Sequence, residues 1–147
     1  DAFVGVDLIV GFPGEDRASF NETFRFLEEL DASYYHVFSY SQRPGTPAAR
    51  MTGQVPSVEI KQRSREIQQL AEEKKEKFYR QHLGEKRYVL FENRDKNGSM
   101  YGFTDNYIRV EADYSDLHGE IKETTLKKIN NQGNVTGEIA SNKLYDH

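Results

Sequence analysis

The sequence of 147 residues predicts a mixed fold, in which an α/β strand–helix unit is followed by a small all-β antiparallel barrel. Three observations indicate this fold. An apolar run at Phe3–Val10 is followed by a helical pattern and then by a second β-type segment, which is the order of a βαβ unit. A long charged helix is predicted to end near Gly84. Beyond it, short β-type segments alternate with turn residues, as in small closed barrels.

The first strand is predicted at Phe3–Val10, where the apolar run is interrupted by Gly5 and Asp7. Side chains alternate along a strand, so Asp7 shares one face with Ile9, whereas Leu8 lies on the opposite face, which we expect to pack on helices. A carboxylate on the first face indicates a barrel lumen that holds polar groups. The alternative is a structural aspartate that only makes hydrogen bonds.

A helix is predicted over about 16–30 and a second strand at Tyr34–Ser41. Acidic residues crowd the N-terminal half of this helix, where the helix dipole favours them. Residues at helical spacing form a face that we expect to be buried: Phe20, Thr23, Phe24, Leu27 and Leu30. A strand, a helix and a strand joined by short loops predict parallel strands and a right-handed crossover.

A second helix of about 25 residues is predicted after Pro56, with Ser57 as its N-cap and Gly84 as its stop. Most of its surface is charged. One face carries the residues that we expect to pack: Ile60, Ile67, Leu70, Ala71, Lys74 and Phe78.

About five strands are predicted after Gly84, at 87–92, 99–103, 107–110, 120–126 and 135–139. Asn97-Gly98, between the first two, is a strong hairpin sequence. The barrel core is expected to contain Val89, Phe91, Ile108, Val110, Ile121 and Ile139.

The composition excludes several classes of function. The chain has no cysteine, so it provides no disulfide, no iron–sulfur ligand and no cysteine nucleophile. A formal net charge of −4 gives no overall basic field for nucleic acid. No apolar run approaches the roughly 20 residues needed to cross a bilayer, so a cytoplasmic location is expected. The chain opens without methionine on an apolar strand, which favours a fragment of a longer protein.

Two loops follow predicted strands, at Gly11–Glu15 and Tyr40–Ala48. In α/β folds, ligands bind at this end of the strands. Arg43 in the second loop is suited to a carboxylate or phosphate. The alternatives are an ordinary tight turn and a rigid Pro-Gly turn with a surface arginine. His36, inside the second strand, is interpreted as a packed residue rather than a catalyst.

A possible RNA-binding pattern lies in the barrel region. Aromatic residues that could stack on bases are interleaved there with polar and cationic residues: Tyr101, Phe103 and Tyr107 with Arg94, Lys96, Asn106 and Arg109. This mixture is typical of single-stranded nucleic-acid binding. The alternative is that the aromatic residues form the barrel core.

Several segments together resemble the radical S-adenosylmethionine methylthiotransferases. They are Asp7–Glu15 (DLIVGFPGE), Phe20 with Thr23, His36–Ala49 (HVFSYSQRPGTPAA), Gln54-Val55-Pro56 and Arg63. Tyr101–Val110 (YGFTDNYIRV) is similar to the core of the TRAM domain that these enzymes carry at their C-terminus. Its Thr-Asp-Asn-Tyr form most resembles the branch that acts on threonylcarbamoyladenosine at tRNA position 37.

The resemblance implies a domain arrangement and cofactors. Residues 1–83 would be the C-terminal part of the radical-SAM (β/α) partial barrel, 84–142 the RNA-binding TRAM domain and 143–147 a tail. The full-length enzyme would use [4Fe–4S] clusters and S-adenosylmethionine. Because this chain lacks cysteine, it would hold no cluster and no metal, and alone it would be inactive.

The resemblance also implies site residues and a partner. The cofactor side would be lined by Asp7, Ile9, Phe38 and Arg43. RNA would be held by Arg94, Lys96, Tyr101, Asn106, Tyr107 and Arg109. No catalytic residue is expected in this chain. The partner would be the tRNA anticodon stem-loop at adenosine 37, and neither DNA nor a membrane.

Three alternatives stay open at this point. The chain could be an RNA-binding fragment without catalysis. It could come from a different radical-SAM enzyme, such as a porphyrin-pathway oxidase, although the TRAM-like segment argues against this. It could also belong to the ribosomal-protein or the isopentenyladenosine branch of the same family, which differ in target.

Overall fold

A computed structural model describes residues 2–94, 98–113 and 119–140. Lys96, Asn97 of the predicted hairpin and the predicted tail at 143–147 lie outside the described residues. Within this part of the chain the elements are β1 (Gly5–Val10), α1 (Arg17–Glu29), β2 (Tyr34–Ser39), a 3₁₀ turn (Ala48–Arg50), α2 (Ser57–Gln81), β3 (Lys86–Arg94), β4 (Met100–Thr104), β5 (Arg109–Ala112), β6 (Glu120–Ile129) and β7 (Val135–Ile139).

The chain divides into two compact units, and the division falls within α2. The strand–helix unit is Val4–Lys75. The barrel unit combines the first three residues with Glu76 and all that follows. Each unit has a hydrophobic cluster of its own.

In the strand–helix unit, β1 and β2 pair in parallel, with Gly5 opposite Tyr34 and Val10 opposite Ser39. This confirms the predicted βαβ order. The helices cover one face of the sheet, since Val10 and Tyr35 are buried in one cluster with residues of α1 and α2. The Tyr35 hydroxyl donates to the Leu27 carbonyl at 2.6 Å. Burial raises the pKa of this hydroxyl.

Helix α1 begins one residue later than predicted because Asp16 is its N-cap. Asp16 has an extended backbone, and its carboxylate accepts from the Ser19 amide at 2.7 Å. The same hydrogen bond holds the pKa of Asp16 below its usual value. Phe20 and Leu27 are buried as predicted. The prediction for Thr23 is wrong, because this side chain is exposed, at the edge of the packed face.

Helix α2 begins at Ser57, and its first carbonyl acceptor is that of Pro56, which accepts the Ile60 amide at 3.1 Å. Ser57 is therefore the first helical residue, and its prediction as N-cap is wrong. The predicted stop is confirmed. After α2 ends at Gln81, Gly84 takes a left-handed backbone with φ +90° and donates its amide to the Leu126 carbonyl at 2.7 Å.

In the barrel unit, the described strands close in the order β3-β4-β5-β7-β6. All five predicted strands are present, and β6 extends to Ile129. The prediction that the barrel is purely antiparallel is wrong, because β5 and β7 pair in parallel while the other neighbours are antiparallel. A closed ring of five strands cannot alternate in direction at every neighbour, so one neighbouring pair must be parallel, and here it is β5 and β7.

The barrel core confirms most of the predicted positions. Val89, Phe91, Ile108 and Val110 are all completely buried, and Ile139 is half-buried against them. The prediction for Ile121 is wrong, since this side chain is 64% exposed.

The inward side chains of β6 are those of Thr124 and Leu126. Alternation along the strand therefore sends Ile121, an odd number of residues from Thr124, outward. A glycine is required at position 102, because a Cβ there would lie 2.2 Å from the Leu90 carbonyl oxygen.

Candidate functional sites

The uncovered face of the β1–β2 sheet carries the predicted cofactor-side residues. Ile9 and Phe38 are paired across the two strands and are 64% and 55% exposed. Asp7 is exposed on the same face, whereas Leu8 is half-buried in the helical cluster. The predicted orientation of Asp7 is confirmed. The strands thus bring a carboxylate and two apolar side chains onto one open surface.

The loop after β1 is held by a buried arginine. Arg63 of α2 is 3% exposed, and its Nη1 donates to the Glu15 carboxylate at 2.9 Å and to the Glu15 carbonyl at 2.8 Å. The same carboxylate accepts the Gly11 amide at 3.2 Å. Gly11 has φ +84°, and a Cβ there would lie 2.4 Å from the Ile60 side chain. The loop geometry is therefore set by Glu15 and Arg63 together.

The loop after β2 is a turn that presents Arg43. The carbonyl of Arg43 accepts from the Thr46 hydroxyl at 2.7 Å, and Gly45 takes φ +85° after Pro44. The Arg43 side chain is exposed. Among the described residues, no hydrogen bond or ion pair joins it to Asp7. Its cofactor role stays a prediction, as does that of the sheet residues.

On the outside of the barrel, Arg109 and Tyr101 form a cation–π pair. The Arg109 guanidinium carbon lies 4.5 Å from the Tyr101 ring centroid, and Nη1 lies 3.4 Å from the Asn134 side-chain oxygen. The Arg109 amide donates to the Tyr79 hydroxyl at 3.2 Å. The strands thus bring together two of the residues predicted to hold RNA, and they fix the arginine beside an aromatic face.

The turn before β5 presents an exposed aromatic ring on a strained backbone. Tyr107 is 65% exposed and has φ 63°, and it is the non-glycine residue with positive φ in the described part of the chain. Its amide donates to the Thr104 carbonyl at 3.1 Å. The Tyr107 ring lies outside the barrel core, so it is available to a ligand.

Asn106, in the same turn, is buried rather than presented. It is 6% exposed, and its side-chain oxygen accepts from the Thr104 hydroxyl, which itself accepts the Ile108 amide at 2.9 Å. Its amide nitrogen is buried with no hydrogen-bond partner among the described residues. This placement favours holding the turn, and RNA contact by Asn106 stays a prediction.

An ion-pair chain anchors the neighbouring residue of the turn. Arg87 contacts Asp105 at 3.1 Å and Glu85 at 3.0 Å, and Glu85 accepts from His82 Nδ1 at 2.8 Å. Burial opposes ionisation of Glu85, but hydrogen bonds from His82 and Arg87 outweigh it and lower the pKa of this carboxyl. The turn that carries Tyr107 is therefore tied to β3 from one side.

Arg94 and Lys96 are the other two residues predicted to bind RNA. Arg94 is exposed at the end of β3, and Lys96 lies outside the described residues. The sequence pattern includes Phe103 among the aromatic residues, but the residues predicted to hold RNA do not include it; its side chain is 45% exposed and points outward two residues after Tyr101. The alternation of β4 around the buried Gly102 would have identified it.

In the described part of the chain, no group of three or more His, Cys, Asp or Glu side chains could hold a metal ion. No helix within the described ranges is long and apolar enough to cross a membrane.

Comparison with known proteins decides the family. No family model matches the chain. It is 32% identical over 136 residues, 92% of its length, to the threonylcarbamoyladenosine tRNA methylthiotransferase of Thermotoga maritima, and 37% identical over 125 residues to that of Rickettsia prowazekii. It is also 34% identical over 141 residues to the tRNA-2-methylthio-N(6)-dimethylallyladenosine synthase of Jannaschia sp..

The chain belongs to the methylthiotransferase family. It spans 31%, 28% and 30% of the length of these three relatives. Methylthiotransferases of two differently named groups match to a similar degree, 32–37% and 34% identity over most of the chain. The family is therefore established, and the comparisons do not separate its branches.

Proposed function

We propose that this chain is the C-terminal part of a tRNA-modifying methylthiotransferase that adds a methylthio group to C2 of N6-threonylcarbamoyladenosine at position 37. The family match over most of the chain supports the reaction class. The Thr104–Tyr107 sequence of the exposed turn supports the threonylcarbamoyladenosine branch. The isopentenyladenosine branch is the second candidate, because relatives named for dimethylallyladenosine are 40–42% identical over 90 residues.

In this proposal the strand–helix unit belongs to the radical-SAM partial barrel and supplies part of its cofactor wall. The open face of β1 and β2 fits such a role, because Ile9 and Phe38 offer an apolar surface for an adenine and Asp7 offers an acceptor for hydroxyl or amino groups. Arg43 is suited to the carboxylate of the cofactor. S-adenosylmethionine, when bound, supplies the radical and the methyl group.

The same proposal makes the chain inactive by itself. It has no cysteine, so the thiolate ligands of the iron–sulfur clusters come from elsewhere in the parent protein. In the parent protein, the role of this chain is to present the cofactor-side face and to hold RNA. We place the parent protein in the cytoplasm, with its tRNA substrate.

The barrel unit is proposed to hold the anticodon stem-loop. The observations that carry this are the exposed aromatic ring of Tyr107 and, two residues further along the chain, the Arg109 guanidinium held over Tyr101. The chain is acidic overall, so binding depends on this local cluster and on Arg94 and Lys96 rather than on net charge.

Binding of the 147-residue chain to an anticodon stem-loop tests the RNA role. We expect Arg94→Ala and Lys96→Ala each to weaken binding and to reduce the salt slope by about 0.7–0.9, because each removes one phosphate contact. Tyr107→Ala is expected to cost about 1–3 kcal/mol through lost base stacking. Arg25→Ala, an exposed arginine of α1, is the matched control. An unchanged affinity and salt slope in all three variants would move the RNA face elsewhere.

The branch is tested with the protein that contains this chain. We expect it to add the methylthio group to tRNA that carries threonylcarbamoyladenosine and to leave tRNA that carries isopentenyladenosine unmodified, as measured by nucleoside mass spectrometry. The opposite preference would assign the isopentenyladenosine branch. The isolated chain is expected to modify neither tRNA.

A further inference from the structure

The outer surface of the barrel carries a row of apolar side chains in register across three strands. Phe103 of β4 is opposite Leu90 of β3, and Leu90 is opposite Ile121 of β6. The three are 45%, 37% and 64% exposed. Contiguous apolar surface on a folded domain marks an interaction site more often than single exposed residues do.

The two ends of this row differ in charge. At the β5 end, Phe103 is opposite Arg109, whose guanidinium rests on the Tyr101 ring. At the β6 end, Ile121 has Glu120 and Lys122 as chain neighbours, and these two form an ion pair at 3.5 Å. Glu123 beyond them is exposed. Glu111 of β5 is opposite Tyr101 and accepts a hydrogen bond from the Asn130 side-chain amide at 2.6 Å, whereas the Arg109 side chain beside Phe103 is exposed. A phosphate is therefore better accommodated next to Arg109 than at the β6 end.

We propose that the outer face of β4 binds unpaired RNA bases, with one base stacked on Phe103 beside the Tyr101–Arg109 pair. This rests on the proposed RNA-binding function and adds to it a residue and a ligand class. Tyr101 and Phe103 are two positions apart on one strand face, which separates them by about 7 Å, so each can serve a different base. Arg109 of β5 is opposite Phe103, and its guanidinium lies against the Tyr101 ring, where it can meet the phosphate that joins the bases.

The ligand is single-stranded rather than duplex. A side chain can stack only on a base whose face is free, and the bases of a duplex are stacked on one another. Phe103 has no hydrogen-bonding group, so the contact is tolerant of base identity. The Arg109 guanidinium is already oriented by Tyr101, which reduces the ordering cost of binding.

The test uses the complete 147-residue chain with two labelled probes, a heptaribonucleotide without internal pairing and a blunt RNA duplex of the same length. Phe103→Leu removes the ring and keeps an apolar side chain. We expect it to weaken binding of the unpaired probe about 5- to 100-fold, to leave the duplex unaffected, and to leave the salt slope unchanged because no cation is lost. Ile121→Ala, at the acidic end of the same row, is the matched control and is expected to bind like the unsubstituted chain.

The melting temperatures of both variants are measured first, and we expect them to change by less than about 2 °C because both side chains point outward. If Phe103→Leu binds the unpaired probe normally while Arg109→Ala binds it weakly, this inference is overturned and the proposed RNA function stands. If the unsubstituted chain binds the anticodon stem-loop but neither probe, this inference is overturned and the proposed RNA function stands; if it binds none of the three RNAs, both fail. Equal losses for Phe103→Leu and Ile121→Ala, or a self-association that Phe103→Leu abolishes, would overturn base stacking in favour of general apolar docking.

Discussion

The two units of this chain use β-structure in opposite ways. In the barrel unit, the described strands close on themselves and enclose a core in which Val89, Phe91 and Val110 have no exposed surface. In the strand–helix unit, helices cover one face of the β1–β2 sheet, while Ile9 and Phe38 on the other face remain more than half exposed. A barrel provides its own interior, whereas parallel strands are usually covered on both faces.

In both units, the residues proposed to bind a ligand are not the residues that form the hydrophobic core. In the barrel unit, Phe103, Tyr107 and Arg109, which are proposed to bind RNA, lie on the outside of the scaffold and are not part of its core. The residues of the strand–helix unit proposed to face the cofactor are the apolar residues that the helices leave uncovered. Substitutions inside the barrel are therefore expected to unfold it, and substitutions on the open sheet face are expected to affect binding alone.

The largest contrast is expected between two phenylalanines. Phe91→Ala leaves a cavity in the barrel core and is expected to reduce the free energy of unfolding by about 3–5 kcal/mol. Phe38→Ala, its matched control on the open face of β2, is expected to change it by less than about 0.5 kcal/mol. Urea denaturation measures both, and hydrogen exchange assigns each loss to a unit. Similar losses for the two variants would show that the open sheet face contributes to folding stability as the barrel core does, which would contradict the difference between the two units.

The next effect concerns the buried arginine of the strand–helix unit. Arg63→Met removes the charge that holds the Glu15 carboxylate and carbonyl, and we expect a loss of about 2 kcal/mol, below the range for fully buried pairs because Glu15 keeps some contact with water. Arg17→Met, which breaks the exposed pair with Glu66, is the control and is expected to lower the melting temperature by less than Arg63→Met does. Thermal unfolding compares the two. Equal losses of stability in the two variants would show that burial of Arg63 does not strengthen its interaction with Glu15.

In the barrel unit, Tyr107→Gly is expected to stabilise the fold and to weaken RNA binding. Glycine adopts the left-handed backbone without steric cost, so the free energy of unfolding is expected to rise by about 1 kcal/mol. Tyr107→Phe keeps the ring and the strain, and it is expected to match the unsubstituted chain in both measurements. A loss of stability in the glycine variant would show that the Tyr107 ring, which lies 6.2 Å from that of Phe3, contributes packing instead.

The smallest effect is an acid dependence in the strand–helix unit. Hydrogen bonds from Arg17 lower the pKa of Glu66 below its usual value of 4.5. A lowered pKa in the folded state gives stability that is present above pH 4.5 and is lost as the pH falls through the folded pKa. Because both side chains are exposed to solvent, which screens the pair, the contribution is expected to be below about 0.5 kcal/mol. Glu66→Gln is expected to flatten the fall in melting temperature below pH 4.5, whereas Glu22→Gln, an exposed control on α1, is expected to leave it unchanged.

Local patterns in the sequence predict much of this fold. The alternation of β1 places Asp7 and Leu8 on opposite faces, and Gly84 ends α2, as predicted. The wrong predictions concern residues whose type suits the predicted role but whose position in the fold excludes it. Ser57 is a good N-cap residue, but the Pro56 carbonyl accepts the first helical bond. Ile121 is apolar, but the register of β6 turns it outward.

By itself, the sequence determined the order of the elements and most of both cores, because spacing and composition are local properties of a chain. Its motifs also carried the resemblance to the family. The tertiary structure alone decided how β7 pairs with β5, which of the barrel aromatics are exposed, and that Asn106 lies inside its turn while Tyr107 lies outside. It also decided that Phe103 stands beside Arg109. These facts depend on strand register and barrel closure, which join residues far apart in the chain and leave no periodic pattern within any one segment.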